Sequence, residues 1–494
     1  MPARTGEQYI DRLKAKPPNL WIRGERVKDP TEHPAFRNVT RSVAALYDMQ
    51  HDPTLVEEMT YPSPTTGERV GISFLHPKIG EDLARRSRMM KRWADYSLGM
   101  LGRSPDYLNV ALMACASASD YFAQNDPRHG ENIRAYYELV RENDLCLTHA
   151  LTNPQVNRAA GVTGQPEPYI PVGVVSQNKN GVVVRGARML ATLPVADEIM
   201  IFPSTLIRAE EGAEKYALAF AIPTSTPGLT FLCRESLDLG RPQTDHPLGS
   251  RFEEMDAMVI FDDVLVPWER IFILGDIELC NNLFKETNAV LHMAHQVVVN
   301  KIAKTEAILG VSMLMVETVG ADQFPHVQEK IAEMITYLEA LRAFRRTSEV
   351  DASLDRYGVM CPARGPLDAS RNLYPRLYPR IIEIVQLLGA SGLILLPSTE
   401  DLNSEVAPYI DRYLQGRSVT ARERIPLFRL AWDLSVSAFG ARQVLYERFF
   451  FGDPVRMMST LYQVYDKEPY KELIRRFLDR NSENPASQGG NRDA

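Results

Sequence analysis

The sequence predicts an α+β chain of three successive parts: an N-terminal helical domain, a middle antiparallel β-barrel domain and a C-terminal helical bundle. Apolar residues recur at helical spacing up to about residue 147, and short strand-like runs separated by Pro, Gly and Asp follow. The helical spacing returns from about residue 276. Because strands and helices are segregated along the chain, a parallel sheet of alternating strands and helices is not expected. The predicted boundaries are 1–147, 148–275 and 276–480, with a flexible polar tail at 481–494.

The first part carries helical patterns in three segments, whereas its first 80 residues have no clear pattern. The helical segments are 81–101, 107–122 and 131–143. Residues 111–118 in the second segment are rich in small side chains. This composition indicates a helix that packs closely against its neighbours.

The middle part contains a series of short strands. Residues 169–175 and 182–185 predict a hairpin in which Asn180-Gly181 supplies the turn. Short strands separated by turn residues are typical of a small barrel. Further strand-like runs lie at 198–202, 216–222, 229–233 and 257–261.

The third part contains long amphipathic segments at 327–344, 376–390 and 427–450. Their apolar stripes predict helices that pack side by side in an antiparallel bundle. Neither an internal repeat nor a low-complexity tract interrupts the body of the sequence.

Composition and charge exclude several classes of protein. The 494 residues include 56 Lys and Arg against 63 Asp and Glu, for a net charge of −7, whereas a nucleic-acid-binding protein would normally present a basic face. The five cysteines are scattered without a CxxC pair, which indicates reduced thiols. Neither an apolar signal segment nor a run of about 20 apolar residues is present. A cytoplasmic protein without a membrane partner is expected.

Sequence signatures of nucleotide sites are missing. No GxGxxG motif follows a strand, and no GxxxxGK[ST] motif occurs. Any flavin or nucleotide site in this chain must therefore be built in another way.

Three polar side chains stand out near the boundary of the first two parts. Arg103 and Tyr107 flank a Ser-Pro break before a helix, and such a pair suits the binding of a phenolate or carboxylate. His149 lies in a segment that continues with several amides and a cation, which suits a ligand cleft at a domain boundary. Taken singly, each is also explained as a capping or surface residue.

Three further features of the sequence each allow a functional and a structural interpretation. His292 and His295 have a spacing that could serve a metal, but no acidic partner motif accompanies them, so we interpret them as packing residues and expect no metal site. Ser204 and Thr205 follow a strand and could bind a carboxylate or form an ordinary turn. The corner at 452–454 could approach a cofactor or simply end a helix.

Four motifs together resemble the oxygenase components of two-component 4-hydroxyphenylacetate 3-monooxygenases. They are Gly-Arg-Ser-Pro-Asp-Tyr at 102–107, Thr-His-Ala-Leu-Thr-Asn-Pro-Gln at 148–155, Phe-Asp-Asp-Val-Leu-Val-Pro-Trp at 261–268 and Phe-Gly-Asp-Pro at 451–454. The resemblance extends from about residue 4 to 478. The third motif also resembles the wider acyl-CoA dehydrogenase superfamily, which implies a helical domain, a β domain and a four-helix bundle.

The resemblance implies a reaction. A separate NAD(P)H:flavin reductase would supply FADH2 as a diffusible cofactor, and the oxygenase would react it with O2. The resulting flavin C4a-hydroperoxide would hydroxylate 4-hydroxyphenylacetate ortho to its phenol hydroxyl, giving 3,4-dihydroxyphenylacetate. Such chemistry needs a site that excludes water and orients the phenol. Relatives form tetramers, so a homotetramer is expected.

The resemblance also implies roles for individual residues. The phenolic oxygen would be surrounded by the predicted catalytic residues Arg103, Tyr107 and His149. The substrate carboxylate would be received by Ser204 and Thr205. The flavin would lie against His149, Ala150, Leu151, Gln155, Val156, Asn157, Arg158, Thr192, Gly452, Asp453, Pro454, Val455 and Arg456.

Three alternatives remain open at this point. The same chemistry could act on another phenol, such as phenol itself or a chlorophenol. An acyl-CoA dehydrogenase-type flavoenzyme would have the same fold, although a dehydratase relative with a four-iron cluster needs paired helical cysteines that the sequence lacks. The third alternative is a flavin-binding or scaffolding protein that has lost activity, and the presence of all three proposed catalytic side chains counts against it.

Overall fold

Helices lie at both ends of the described part of the chain, and most strands lie between them. The structure is a computed structural model and describes residues 2–203 and 206–482. Ser204, Thr205 and nearly all of the predicted flexible tail lie outside the described residues. The helices of the first half are α1 (Gly6–Ala15), α2 (Arg37–Asp48), α3 (Val56–Met59), α4 (Gly80–Tyr96), α5 (Pro105–Ser117), α6 (Ser119–Ala123), α7 (Pro127–Asn143) and α8 (Gly249–Phe252). Those of the second half are α9 (Ile277–Glu286), α10 (Ala289–Thr318), α11 (Pro325–Val350), α12 (Arg364–Gly389), α13 (Ala407–Tyr413), α14 (Ala421–Ser435), α15 (Ala438–Phe449), α16 (Pro454–Val464) and α17 (Glu468–Ser482).

The three helical segments predicted in the first part are confirmed as α4, α5 with α6, and α7. Helix α5 is buried from Pro105 to Ala116, and it packs against α7 and α10. The small side chains of this helix let the neighbouring helices approach it closely. The first turn of α5 therefore has a fixed position, and Tyr107 lies in that turn.

The strands form two larger sheets and two short ribbons. The six-stranded sheet has the order β2-β1-β10-β11-β7-β6, and the four-stranded sheet has the order β12-β9-β8-β5. The rings of Phe220 and Phe261, one from each sheet, meet edge to face at 5.9 Å. The strands are β1 (Leu20–Ile22), β2 (Glu25–Arg26), β3 (Thr60–Pro62), β4 (Arg69–Gly71), β5 (Leu147–Ala150), β6 (Gly173–Asn178), β7 (Gly181–Thr192), β8 (Glu198–Ile201), β9 (Leu218–Pro223), β10 (Leu229–Cys233), β11 (Asp256–Pro267), β12 (Ile271–Leu274), β13 (Ser353–Leu354) and β14 (Met360–Cys361).

The expectation of an antiparallel barrel is wrong in two respects. Within residues 2–203 and 206–482 the two sheets stay open, and no closed barrel forms. The pairs β1–β10 and β5–β8 are parallel. Parallel neighbours need long connections, and β1 reaches its partner from the N-terminal region. Local periodicity reveals strands but not such distant pairings.

The predicted hairpin is present with its turn shifted by one residue. Strands β6 and β7 pair with Asn178 opposite Gly181, so Lys179-Asn180 forms the turn in place of Asn180-Gly181. Strand β7 then continues to Thr192, where it reaches the neighbourhood of β5.

The C-terminal helices pack mainly around α10, whose 30 residues are largely buried. Helix α10 contacts α11, α12 and α14, and α12 also contacts α15. The helix predicted over 427–450 is two helices, because Ser437 caps a new helix start by accepting a hydrogen bond from the Gly440 amide at 3.1 Å. In the part of the chain that is described, no helix combines the length and apolar character needed to cross a membrane. The five cysteines are free and buried.

Candidate active site

Arg103 lies in the loop between α4 and α5 and is held from three directions. Its backbone N–H donates to Glu254 Oε1 at 2.7 Å, and its Nη2 donates to the carbonyl oxygen of Phe450 at 3.0 Å. Its guanidinium carbon lies 4.2 Å from the ring centroid of Tyr107 and 5.3 Å from that of Tyr446. The loop, the β region and the end of α15 thus converge on one side chain.

Arg103 stays protonated although it is partly buried. Burial acts to lower its pKa, but the nearby Tyr107, Tyr446 and Glu254 outweigh burial and raise the pKa above its usual value. Its Nη1 is buried and has no hydrogen-bond partner among the described residues. A cation with a buried, unpartnered donor atom is a ready binding point for an oxygen that carries negative charge.

Tyr107 and His149 complete the cluster that the sequence predicts. Strand β5 carries His149, which lies opposite Met200 of β8. The rings of Tyr107 and His149 lie 5.8 Å apart between centroids. Burial raises the pKa of the Tyr107 hydroxyl, so it stays protonated at neutral pH.

His149 is a neutral base in a dry position. Burial, together with the positive charge of Arg103, lowers the pKa of His149 to about 3. Its Nδ1 is buried and lacks a hydrogen-bond partner within the described part of the chain. The unpartnered nitrogen of a neutral imidazole can either accept a hydrogen bond from a ligand or donate one to it, depending on the tautomer.

The end of β7 lies beside β5, as the predicted flavin contacts at Ala150, Leu151 and Thr192 require. Thr148 Oγ1 donates to the carbonyl oxygen of Thr192 at 2.6 Å. The hydroxyl of Thr192 itself donates to Asp256 Oδ1 at 2.9 Å. This second bond fixes the rotamer of Thr192 and leaves its oxygen lone pairs able to accept.

The predicted flavin residues Gln155, Val156, Asn157 and Arg158 lie in a long irregular connection between β5 and β6, and all four are exposed. The side chain of Gln165 organises this loop. It donates to the carbonyl oxygens of Asn157 at 3.1 Å and Gly161 at 3.0 Å, and it accepts from the Asn157 amide at 3.3 Å.

The predicted contacts at 452–456 begin two residues after Phe450, whose carbonyl accepts from Arg103. Gly452 has φ of +112°, a value that disfavours a side chain. Asp453 then caps α16 by accepting from the Arg456 amide at 2.9 Å, with Pro454 at the first helical position and Val455 exposed. The corner is thereby placed next to the Phe450 carbonyl and Arg103.

Ser204 and Thr205 lie outside the described residues, but their flanks are fixed. Phe202 is buried, and its ring lies 6.0 Å from that of Phe284 on α9. The Ile207 amide donates to Asn281 Oδ1 at 2.9 Å.

His292 and His295, for which the sequence favours packing over metal binding, are buried. His295 Nε2 pairs with Glu349 Oε1 at 3.0 Å, and His292 Nδ1 lies 3.0 Å from Arg86 Nη2. Within residues 2–203 and 206–482, no group of three or more potential side-chain ligands could hold a metal ion.

Three residues near Arg103 were missed by the sequence interpretation: Glu254, Tyr446 and Phe450. Phe450 directly precedes the quoted Phe-Gly-Asp-Pro motif, so that motif was the available signal for it. Glu254 and Tyr446 have no local signal, because their roles arise only when distant segments meet.

Comparisons with known proteins cover nearly the whole chain. Residues 5–273 match the family model for the 4-hydroxyphenylacetate 3-hydroxylase N terminal region, and residues 280–479 match the model for its C terminal region. The chain belongs to the 4-hydroxyphenylacetate 3-hydroxylase family. The family membership indicated by the four sequence motifs is therefore confirmed.

Members of this hydroxylase family are similar in sequence and in structure. The chain is 62% identical over 476 residues to the 4-hydroxyphenylacetate 3-monooxygenase oxygenase component of Thermus thermophilus, covering 96% of this chain and 97% of that protein. It is 50% identical to the oxygenase component of the same name from a Geobacillus species, with 97% of each chain covered.

Solved structures agree with the family assignment. A crystal structure of the oxygenase component of 4-hydroxyphenylacetate 3-monooxygenase, complexed with FAD and 4-hydroxyphenylacetate, matches with a TM-score of 0.94 and 61% identity, covering 97% of this chain and 99% of that chain. An archaeal 4-hydroxybutyryl-CoA dehydratase from N. maritimus matches with a TM-score of 0.87 at 22% identity, covering 97% of this chain and 95% of that chain. The second match shows a shared fold alone.

Proposed function

We propose that this chain is the oxygenase component of a two-component 4-hydroxyphenylacetate 3-monooxygenase. It uses reduced FAD from a separate reductase and O2 to hydroxylate 4-hydroxyphenylacetate ortho to its phenol hydroxyl, giving 3,4-dihydroxyphenylacetate. The observation that carries the proposal is the buried cluster of Arg103, Tyr107 and His149 in a member of this hydroxylase family. The Thermus thermophilus and Geobacillus relatives, 62% and 50% identical to this chain, are oxygenase components of this name and support the substrate and the reaction.

The residues present fit a flavin. Buried Arg103 Nη1 and His149 Nδ1 have no partners in the described chain and can bind polar atoms of cofactor or substrate. Thr192 lies beside β5, because its carbonyl accepts from Thr148, and the exposed loop at 155–158 with the 452–456 corner can contact the rest of the cofactor. Reduced FAD, when bound, supplies the oxygen-activating chemistry. The protein supplies orientation and a water-poor chamber.

Arg103, Tyr107 and His149 have different roles because their protonation states differ. His149 is neutral at neutral pH, so its unpartnered nitrogen can accept a hydrogen bond from the phenol hydroxyl and draw its proton, which makes the ring more nucleophilic. Arg103 is a permanent cation that stabilises negative charge on the phenolic oxygen. Tyr107 keeps its proton and donates a hydrogen bond.

The carboxylate of the substrate is assigned to Ser204 and Thr205, which stay predictions from the family resemblance. A second candidate substrate class is a phenol without a carboxylate, because a relative from Rhodococcus at 32% identity is a 4-nitrophenol 2-monooxygenase oxygenase component. Rates with 4-hydroxyphenylacetate, phenol and 4-chlorophenol decide between them. A preference for 4-hydroxyphenylacetate supports the carboxylate assignment, and equal rates contradict it.

A homotetramer is part of the proposal, and the exposed apolar surface of the last two helices supports self-association. Helix α16 has no buried residue, and neither has the part of α17 whose side chains are described. Large exposed apolar patches mark interaction surfaces. The exposed apolar side chains of these helices are Val455, Met458, Tyr462, Val464, Tyr470, Leu473, Ile474, Phe477 and Leu478.

The domain boundaries at 147, 275 and 480 stay predictions. The two family models support the second boundary, since one match ends at residue 273 and the next begins at residue 280.

One experiment tests the central proposal. The protein is mixed anaerobically with FADH2 and then with O2 and 4-hydroxyphenylacetate, and product and H2O2 are quantified together. We expect 3,4-dihydroxyphenylacetate in near-stoichiometric amount relative to the FADH2 consumed. Oxidation to FAD with release of H2O2 alone would refute the assignment.

A further inference from the structure

Three charged side chains are buried together behind the proposed site. Lys301 Nζ and Lys304 Nζ of α10 both donate to Glu447 Oε1 of α15, at 2.7 Å and 2.5 Å. The side chains of Lys301, Lys304 and Glu447 are 2%, 0% and 0% exposed. We call these three residues the ionic clasp. Glu447 Oε2 has no hydrogen-bond partner within the described residues.

Stability alone does not explain why the three charged side chains of the clasp are buried. Removing three charges from water carries a large desolvation cost, and well-packed apolar side chains of similar size often stabilise a protein as well or better. Two ammonium groups against one carboxylate also leave an excess positive charge in a dry position. The position of the clasp in the fold indicates what it does.

The residues next to the clasp hold the loop that carries Arg103. From α15, Gln443 donates to the Met100 carbonyl at 3.2 Å and the Tyr446 hydroxyl donates to the Gly102 carbonyl at 3.2 Å. From α10, Asn300 donates to the Leu101 carbonyl at 3.2 Å. Three successive carbonyls before Arg103 are therefore bound by the two helices that the clasp joins.

Close packing strengthens this hold. A Cβ atom on Gly102 would lie within 2.8 Å of ring and hydroxyl atoms of Tyr446, so only glycine lets the loop approach the ring. The Tyr446 ring also lies 5.3 Å from the Arg103 guanidinium and 5.4 Å from Lys301 Nζ. On the same side, Lys301 Nζ lies 4.8 Å from the ring of Phe450, whose carbonyl accepts from Arg103.

We propose that Lys301, Lys304 and Glu447 are positioning residues for Arg103 in the hydroxylation reaction. The clasp locks α15 against α10, and the locked helices fix both the loop before Arg103 and the Phe450 carbonyl that orients its guanidinium. A looser Arg103 leaves the phenolic oxygen less well stabilised, so O2 is consumed without hydroxylation. This inference rests on the proposed function.

The clasp also makes the site sensitive to pH. Burial lowers the pKa of Lys301 to about 7, while the facing carboxylate of Glu447 opposes this shift. Below about pH 7 Lys301 is charged and the clasp is complete, and above it one ionic contact is lost. The other charged or titratable groups that face Lys301 are Lys304 on its own helix, Tyr446 on α15, Tyr374 on α12 and Arg103 on the loop.

The test compares Lys301→Met with Glu349→Gln. The second variant is a matched control, because Glu349 accepts from His295 in another buried pair between α10 and α11. Each variant is assayed for product formed per O2 consumed between pH 6 and 9. For Lys301→Met we expect a loss of about fivefold to tenfold in that ratio and a pH profile without the inflection near 7, whereas Glu349→Gln keeps the wild-type profile.

A double-mutant cycle tests whether Lys301→Met lowers the product ratio through Arg103. If the clasp acts through Arg103, Lys301→Met has little further effect in an Arg103→Lys background, because both changes remove the same interaction. Equal losses in both backgrounds would overturn the proposal. An unchanged product ratio for Lys301→Met would overturn it too.

Two measurements keep the proposal separate from the proposed function. A crystal structure of Lys301→Met should show the Arg103 guanidinium moved from the Phe450 carbonyl, and an unmoved Arg103 contradicts positioning whatever the protein catalyses. Wild-type protein that releases only H2O2 refutes the function but not this geometric result. If Lys301→Met does not fold, Lys301→Arg takes its place, with the expected result that the inflection near pH 7 disappears while the charge remains.

Discussion

The two regions that meet at the proposed site differ in how firmly they are built. Tyr107 on a helix and His149 on a strand are buried, Arg103 on a loop is partly buried, and each contacts at least one of the others. The proposed flavin loop at 155–158 is irregular and exposed, and Gln165 holds it by a few polar contacts. A site for a resident cofactor would normally be built into rigid elements. A rigid cluster of reacting side chains beside an exposed cofactor loop suits a cofactor that arrives reduced and leaves oxidised.

If this comparison holds, changes in the rigid cluster alter the chemistry with little effect on FAD affinity. Changes in the loop at 155–158 alter the affinity for FAD with little effect on the chemistry. The following substitutions test this separation from the largest expected effect to the smallest.

His149→Ala removes the proposed proton acceptor from the rigid cluster. We expect product formation to fall by about 100-fold or more, because general base catalysis typically contributes factors of that size. The dissociation constant for reduced FAD should change much less. Rapid-quench analysis of product and a titration of the reduced cofactor measure the two effects. A variant with wild-type product yield would remove His149 from the mechanism.

Tyr107→Phe keeps the ring that packs against the Arg103 guanidinium and removes only the hydroxyl. Loss of one hydrogen bond to a charged oxygen corresponds to about a tenfold effect. We therefore expect about a tenfold lower yield of 3,4-dihydroxyphenylacetate per O2, with a matching rise in H2O2. If the hydroxyl instead binds the cofactor, FAD affinity falls and the yield per bound cofactor stays constant.

The sequence predicts the secondary structure of this region better than its assembly. Helical spacing correctly indicated the helix that carries Tyr107, because periodicity is a local property. Glu254 and Phe450 bind Arg103 across 151 and 347 residues of sequence, so no local pattern could reveal them. The open sheets were missed for the same reason, since β1 and β5 pair in parallel with strands far along the chain.

The residues indicated by the family motifs fall into two groups. Arg103, Tyr107 and His149 come together as the motifs indicated, although they come from three separate elements. The contacts expected at 155–158 lie on a loop whose exposed conformation gives no direct evidence for them. Physical patterning identified residue types suited to a ligand, and only the resemblance assigned them partners.

Glu254→Gln tests how the rigid cluster is anchored. Glu254 accepts from the Arg103 amide and also pairs with Arg442 at 3.2 Å, in a position that is 1% exposed. The amide can still accept the backbone hydrogen bond, but it no longer balances the charge of Arg442. We expect a yield per O2 about threefold to fivefold lower, equivalent to about 1 kcal/mol, and a lower melting temperature. Unchanged yield with lower stability would limit Glu254 to a structural role.

Gln165→Ala tests the exposed loop at 155–158, and we expect its effect to be the smallest of the four substitutions. The substitution removes the hydrogen bonds that tie Asn157 to Gly161 and so loosens the loop proposed to cover the flavin. Because each net hydrogen bond contributes about 1 kcal/mol and the loop is exposed, we expect the dissociation constant for reduced FAD to rise only ~threefold. The yield per bound cofactor should not change, since the Gln165 side chain makes its hydrogen bonds to residues 157–161 of the loop. Glu167→Gln, an exposed change in the same loop, is the matched control and should leave the affinity as it is. A fall in yield at saturating FADH2 for Gln165→Ala would show that the loop shapes the chemistry as well, and the separation between the two regions would then fail.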